Sequence, residues 1–251
     1  MIVLISPVSA QEAESILDTE VDVIDVKNTD EGSLGAQFPW LTREVVELTQ
    51  MKRIRTSATL GDLPFKPGTA ALAAYGAAQL GVTYIKAGLH GLNTYEQACK
   101  MMEAVRRSVR MVSETADVVA SGYADYRRFG GLSTQDLVRA AKDTHCDVVM
   151  VDTALKDGKT LFDNLTMDEI REFIESAKEA KLRGALAGSL KSEHASRLFD
   201  LNPDIIGVRG AVCVGKDRKT AICPEKTKKF TQLFHSNEKD RMFDKTGLQS
   251  T

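Results

Sequence analysis

Short apolar runs rich in β-branched residues recur along this chain, each followed by a stretch with helical spacing, at intervals of about thirty residues. The runs are Ile2–Ser6, Asp22–Lys27, Arg53–Thr59, Val82–Lys86, Asp117–Ser121, Asp147–Asp152, Arg183–Ala187 and Asp204–Val208. Between them lie helix signals. Ser9-Ala-Gln-Glu12 and Thr94-Tyr-Glu-Gln97 have capping-box form, and Thr166-Met-Asp-Glu169 opens a run through Ile170, Phe173, Ile174 and Ala177. Thr69–Leu80 is alanine-rich, as tight packing of a helix on a sheet requires, and Gly61 to Gly68 reads as a loop. Strands that alternate with helices must pair in parallel through crossovers. Eight such units in 251 residues predict an α/β fold, a single (β/α)8 TIM barrel over residues 1–236. A doubly wound open sheet is the alternative, weakened because no GxGxxG follows the first strand. The polar residues 237–251 have little periodicity and are expected to form a mobile tail or extension.

Charge and composition remove several classes. A net charge of -2 argues against nucleic acid as the main partner. No stretch approaches the ~20 apolar residues of a membrane span. Cys99, Cys146, Cys213 and Cys223 are scattered without CxxC spacing, and the four histidines are far apart without HExxH, so neither a metal site nor a cofactor is expected. The pattern suits a reducing, cytoplasmic setting.

In a barrel, chemistry sits where the C-terminal ends of the strands meet their loops. Strand side chains alternate, so the second strand aims Asp25 and Lys27 at one face. The fourth ends in Lys86, and the sixth in Asp152 with Lys156 shortly after. Three lysines and two aspartates would thus converge on one mouth. An ordinary lysine has a pKa of about 10.4, so only on the order of 10⁻³ to 10⁻⁴ of it is neutral at pH 7. A neighbouring ammonium or an apolar interior lowers that pKa, and the freed amine can form a Schiff base with a carbonyl. Gly188 and Ser189 end the seventh strand, and Gly207, Arg209 and Gly210 end the eighth. Unshielded backbone N–H groups there, with one guanidinium, suit a phosphate, and Lys66 is a second phosphate candidate. Arg53 and Arg55 are further candidates to line the site.

Asp25-Val-Lys27-Asn, Glu31-Gly-Ser-Leu-Gly-Ala36, Phe38-Pro-Trp40, Ser57-Ala-Thr59, Gly61-Asp62, Lys66-Pro-Gly68-Thr, Tyr84-Ile-Lys86, Asp152-Thr and Lys156-Asp-Gly158 together resemble the (5-formylfuran-3-yl)methyl phosphate synthase family. The resemblance runs from the first strand to about His235. It implies a class-I-aldolase-like barrel that condenses two molecules of glyceraldehyde 3-phosphate into 4-(hydroxymethyl)-2-furancarboxaldehyde phosphate, with loss of phosphate and water, for methanofuran-type cofactor biosynthesis. On the resemblance Lys27 is the Schiff-base lysine and Lys86 the proton acceptor, while Asp25, Asp152 and Lys156 assist proton transfer and hold substrate. The expected partner is a triose phosphate, with assembly into a homo-oligomer.

Two other readings stay open on sequence. Asp25-x-Lys27-x-x-Asp30 fits the DxKxxD pattern of orotidine-phosphate-decarboxylase-like barrels, in which the lysine protonates a carbanion and forms no imine. There, however, the motif ends the third strand and no glycine-rich loop follows it. A non-catalytic phosphosugar-binding protein is the other reading, disfavoured by so many charges at one mouth.

Overall fold

The computed structural model describes the backbone of residues 1–246 and the side chains of residues 1–236. The strands β1 (Ile2–Ile5), β2 (Val23–Val26), β3 (Arg55–Pro64), β4 (Tyr84–Gly91), β5 (Asp117–Tyr123), β6 (Val148–Asp152), β7 (Arg183–Leu186) and β8 (Ile205–Val208) pair in chain order, all parallel. β1 lies between β2 and β8, with Leu4 opposite both Val23 and Gly207, which closes the barrel. The helices are α1 (Ala10–Ser15), α2 (Pro39–Lys52), α3 (Pro67–Gln79), α4 (Tyr95–Arg110), α5 (Thr134–Asp143), α6 (Leu161–Asn164), α7 (Met167–Glu179), α8 (Ala195–Leu201) and α9 (Pro224–Thr246).

The two-residue period of the strands splits the core in two. Leu4, Val23, Tyr84, Val119, Val148, Met150, Ala185 and Ile205 fill the barrel. Ile24, Val26, Ile85, Val118, Val149 and Ile206 face outward against the helices. Ala70, Ala74, Ala77 and Ala78 bring α3 close to that outer surface. Ser9, Thr94 and Thr166 cap their helices as their spacing predicts.

Three boundaries differ from the sequence reading. β3 does not stop at Thr59: it runs on to Pro64 beside a lengthened β4, with register irregularities after Thr59 and after Asp62. The Gly61 to Pro64 segment looks like a loop because Gly and Pro punctuate it; the neighbouring strand supplies the pairing, and Gly61 takes the left-handed conformation there (φ 104°). Arg53 is the left-handed cap of α2 rather than part of β3. The polar tail expected from Asn237 begins inside α9, and 247–251 lie outside the described residues.

The N-terminal end of the barrel is closed by charge rather than by apolar side chains. Arg183 pairs with Asp117 at 2.7 Å, and Arg55 and Arg183 donate to the Tyr84 hydroxyl at 3.1 and 3.5 Å. Arg55 therefore belongs to the floor: it opens its strand, and the mouth lies at the other end.

Candidate active site

A cavity of about 280 Å³ opens at the C-terminal ends of β1, β2, β6, β7 and β8. β2 carries Asp25 into it, and Lys27 follows on the same face just past the strand end. Asp25 is fully buried. Its Oδ2 accepts the Ser6 hydroxyl at 2.9 Å, and its Oδ1 lies 2.6 Å from the Lys86 Nζ, an ion pair set off the hydrogen-bond line. Burial alone would raise the Asp25 carboxyl, but Lys86 and Lys27 outweigh it and hold the group below the usual carboxylate range. Lys86 reaches in from β4 at a deeper level. It is 2 % exposed and lines a small interior void with Ser57, Tyr84 and Met150.

Lys27 is 8 % exposed. Burial disfavours its ammonium most strongly; Asp152 and Asp25 oppose that, Lys86 and Lys156 reinforce it, and the amine is pushed down to about 8. Roughly one lysine in ten is then neutral at pH 7, against about one in several thousand for an unperturbed side chain. Asp152 ends β6 beside it. Burial raises this carboxyl, but Lys156, Lys27 and the Thr153 N–H (2.7 Å) bring it down to about 2. A loop lysine such as Lys156 is ordinarily held loosely by solvent. Instead its Nζ donates to Asp152 Oδ1 at 3.1 Å, the Thr153 carbonyl at 2.6 Å and the Thr153 hydroxyl at 3.1 Å, which fixes it on its loop.

The phosphate candidates divide. Gly188 (φ 102°) and Ser189 (φ 51°) form a left-handed turn on the cavity wall. A Cβ at Gly188 would sit 2.9 Å from Thr153 Cγ2, so glycine is required for this approach. The N–H groups of Ser189, Gly210 and Ala211 make no hydrogen bond among the described residues. Gly207 also lines the cavity, but its backbone belongs to the ladder opposite Leu4. Lys66 is exposed at the start of α3 and does not line the cavity, because the extended β3 carries it past the rim. Arg209 lines the cavity, yet its guanidinium is spent. It donates to Glu12 Oε2 (2.7 Å) and Oε1 (3.2 Å), to the Ser6 carbonyl (2.8 Å), and to the Arg218 (2.7 Å) and Thr220 (3.2 Å) carbonyls. Five donors meet five acceptors, so the expected phosphate contact through this guanidinium has no N–H left to make it. Asp30, the last position of the DxKxxD pattern, is exposed in the turn after β2 and faces no part of the cavity.

Sequence reasoning missed two features. One is Asp62, whose Oδ2 accepts the N–H groups of Ser33 (3.0 Å) and Leu34 (3.2 Å) while Oδ1 takes the Tyr123 hydroxyl. Two glycines make room for this carboxylate: a Cβ would come within 2.6 Å of it at Gly32 and 2.4 Å at Gly88. Thr59 also donates to the Gly35 carbonyl at 2.6 Å, so β3 anchors the whole loop that follows Lys27. The other is the β8–α9 loop, whose Lys216, Asp217 and Arg218 line the cavity. Its signal was present as a charged run between Val214 and Thr220, longer than a simple connection to α9 needs.

The family described as 4-HFC-P synthase matches residues 3–231. Among similar proteins, the (5-formylfuran-3-yl)methyl phosphate synthase of Methanocaldococcus jannaschii is 49% identical over 218 residues, covering 87% of this chain and 92% of that one. The protein of the same name from Methanobrevibacter smithii is 47% identical over 220 residues (88% and 92%), and that from Archaeoglobus fulgidus 47% over 235 residues (94% and 100%). Solved structures share the barrel at much lower identity. A 2,3-dimethylmalate lyase superposes with a TM-score of 0.60 at 16% identity, covering 97% of this chain and 94% of that one. A thiamine phosphate pyrophosphorylase from Pyrococcus furiosus gives 0.58 at 13%, covering 92% and 95%. Those likenesses speak for the fold alone. The relatives match at nearly half of all positions along almost the whole barrel, and the chain belongs to the 4-HFC-P synthase family.

Proposed function

We propose that this chain condenses two molecules of glyceraldehyde 3-phosphate, through a Schiff base on Lys27, into the (5-formylfuran-3-yl)methyl phosphate that its relatives are named for, a furan on the way to a methanofuran-type cofactor. One phosphate and two waters leave, which balances the atoms of two trioses against one furan phosphate. The neutral amine of Lys27 attacks an aldehyde carbon, and loss of water gives the imine. The protonated imine then acidifies the neighbouring C–H, and removal of that proton leaves an enamine, the carbon nucleophile that joins the trioses. Asp25 receives the proton at the cavity wall, and the Lys86 ammonium paired behind it holds that carboxylate in place; Lys86 itself accepts a proton only after passing its own to Asp25. Asp152 and Lys156 exchange protons with the departing hydroxyls. The N–H groups of Ser189, Gly210 and Ala211 receive a substrate phosphate.

The observation that supports this reading most is the amine of Lys27, buried between two carboxylates and pushed down to about 8. Borohydride reduction in the presence of glyceraldehyde 3-phosphate, followed by peptide mapping, is the test. The label should fall on the Lys27 peptide, vanish in Lys27→Ala, and persist without turnover in Lys86→Ala. A label on Lys86, or none in the wild type, would refute the assignment. Mass spectrometry of the product from glyceraldehyde 3-phosphate alone tests the overall reaction.

A further inference from the structure

We infer that Arg218, in the β8–α9 loop, is the phosphate-recognising residue of this pocket and sets its preference for phosphorylated over unphosphorylated aldehydes, a role that rests on the proposed substrate class.

Three observations carry this. First, Arg209 is consumed as a clamp. It ties the Glu12 carboxylate of α1 and the Ser6 carbonyl after β1 to two carbonyls of the β8–α9 loop. Those carbonyls belong to Arg218 and Thr220, so the clamp fixes the backbone from which the Arg218 side chain springs. The Thr220 hydroxyl reinforces it by donating to the Val214 and Asp217 carbonyls at 2.6 and 2.8 Å.

Second, the Arg218 guanidinium is half-buried on the cavity wall and makes no hydrogen bond or ion pair among the described residues. Of the other cations that line the cavity, Lys216 is exposed on the same loop and has no ion-pair partner among the described residues, while the rest are held. Lys156 holds Asp152 and Thr153, Lys27 sits between Asp25 and Asp152, and Lys191 stands 3.6 Å from Glu193. A half-buried arginine fork without a carboxylate partner is poised for a planar bidentate acceptor. Burial disfavours its charge, with Asp152 as the carboxylate that offsets this.

Third, Arg218 stands over the turn whose N–H groups are free. A Cβ built at Gly210 would lie 3.8 Å from Arg218 Cβ and 3.7 Å from the Lys216 carbonyl. These are ordinary van der Waals distances, so the Gly210 turn packs directly beside the base of the Arg218 side chain. A phosphate monoester dianion fits that combination of backbone donors and one fork.

The test separates phosphate recognition from imine chemistry. Trapping on Lys27 is titrated with glyceraldehyde 3-phosphate and with glyceraldehyde in the wild type, Arg218→Ala and Arg218→Lys. Losing one charge-assisted contact should raise the half-trapping concentration of glyceraldehyde 3-phosphate by about 10- to 100-fold in Arg218→Ala. Glyceraldehyde should be unaffected, and Arg218→Lys should recover part of the loss. Calorimetric binding of inorganic phosphate supplies a readout that needs no imine: the Kd should weaken in Arg218→Ala and hold in Lys66→Ala. An unchanged response to glyceraldehyde 3-phosphate, an equal loss for both aldehydes, or a wild type that binds no phosphate overturns the inference. If the wild type traps neither aldehyde but binds phosphate through Arg218, the Schiff-base reading falls and this one stands.

Discussion

The Nζ of Lys86 and the Oδ1 of Asp25 lie 2.6 Å apart with both side chains sealed from solvent. Each makes the other's charge tolerable, since a lone buried ion costs several kcal/mol. Removing one partner should therefore hurt more than removing both. Lys86→Met and Asp25→Asn are each expected to lose about 3–5 kcal/mol of unfolding free energy, and the double variant clearly less than the sum. Urea denaturation of the four proteins measures this. Strict additivity would mean that the pair carries no coupling.

Lys27 should titrate near pH 8 rather than near 10.5. The rate of cyanoborohydride trapping with glyceraldehyde is expected to climb through that pH and level off above it. Asp152 is one of the charges that keep the ammonium protonated. Asp152→Asn should thus move the midpoint downward, whereas a general-base role alone would slow trapping without moving it. An upward shift would contradict the electrostatics of the site.

Asp62 and Tyr123 hold the loop that leaves Lys27, and neither lines the cavity. Tyr123→Phe removes one hydrogen bond to a charged acceptor, worth about 1.5–3 kcal/mol. Its expected signature is a lower kcat with KM for glyceraldehyde 3-phosphate nearly unchanged, because the amine is mispositioned while the phosphate grip is intact. An altered KM with unchanged kcat would place the pair on the binding side instead.

Acid should weaken the fold through Asp152. Its folded pKa of about 2 lies below the unfolded value, so the group stabilises the protein above about pH 4 and loses that contribution as pH falls towards about 2. At about 1.4 kcal/mol per unit the loss is of order 2 kcal/mol. Asp152→Asn should lack that part of the acid limb in denaturation curves taken across the interval. A limb of undiminished depth would show that other carboxylates carry it.

The barrel and its central charges were legible because they are local. Asp25 and Lys27 share a strand face by alternation, and Lys86 and Asp152 end strands whose apolar runs are plain. What could not be read depends on partners distant in sequence. Nothing near Arg209 announces that Glu12 will absorb its fork. Lys66 follows a Gly- and Pro-rich segment that looks like a loop, and only the neighbouring β4 turns that segment into strand and carries the lysine away. Arg218 has no signature of its own, since an arginine in a polar loop is ordinarily solvated, and its standing in the cavity depends on the clamp behind it.

The closure of β8 onto β1 also governs when the site comes into being. A chain emerging from the ribosome presents Lys27 early and β8 late. Until the last strand docks, the wall that buries Lys27 lacks one side, and Glu12 waits for Arg209. An unfinished chain therefore carries Lys27 as an ordinary lysine, almost wholly protonated at neutral pH. The depressed basicity of Lys27 is acquired only on completion, so the geometry that seals the barrel also sets when this amine stops behaving as a surface lysine.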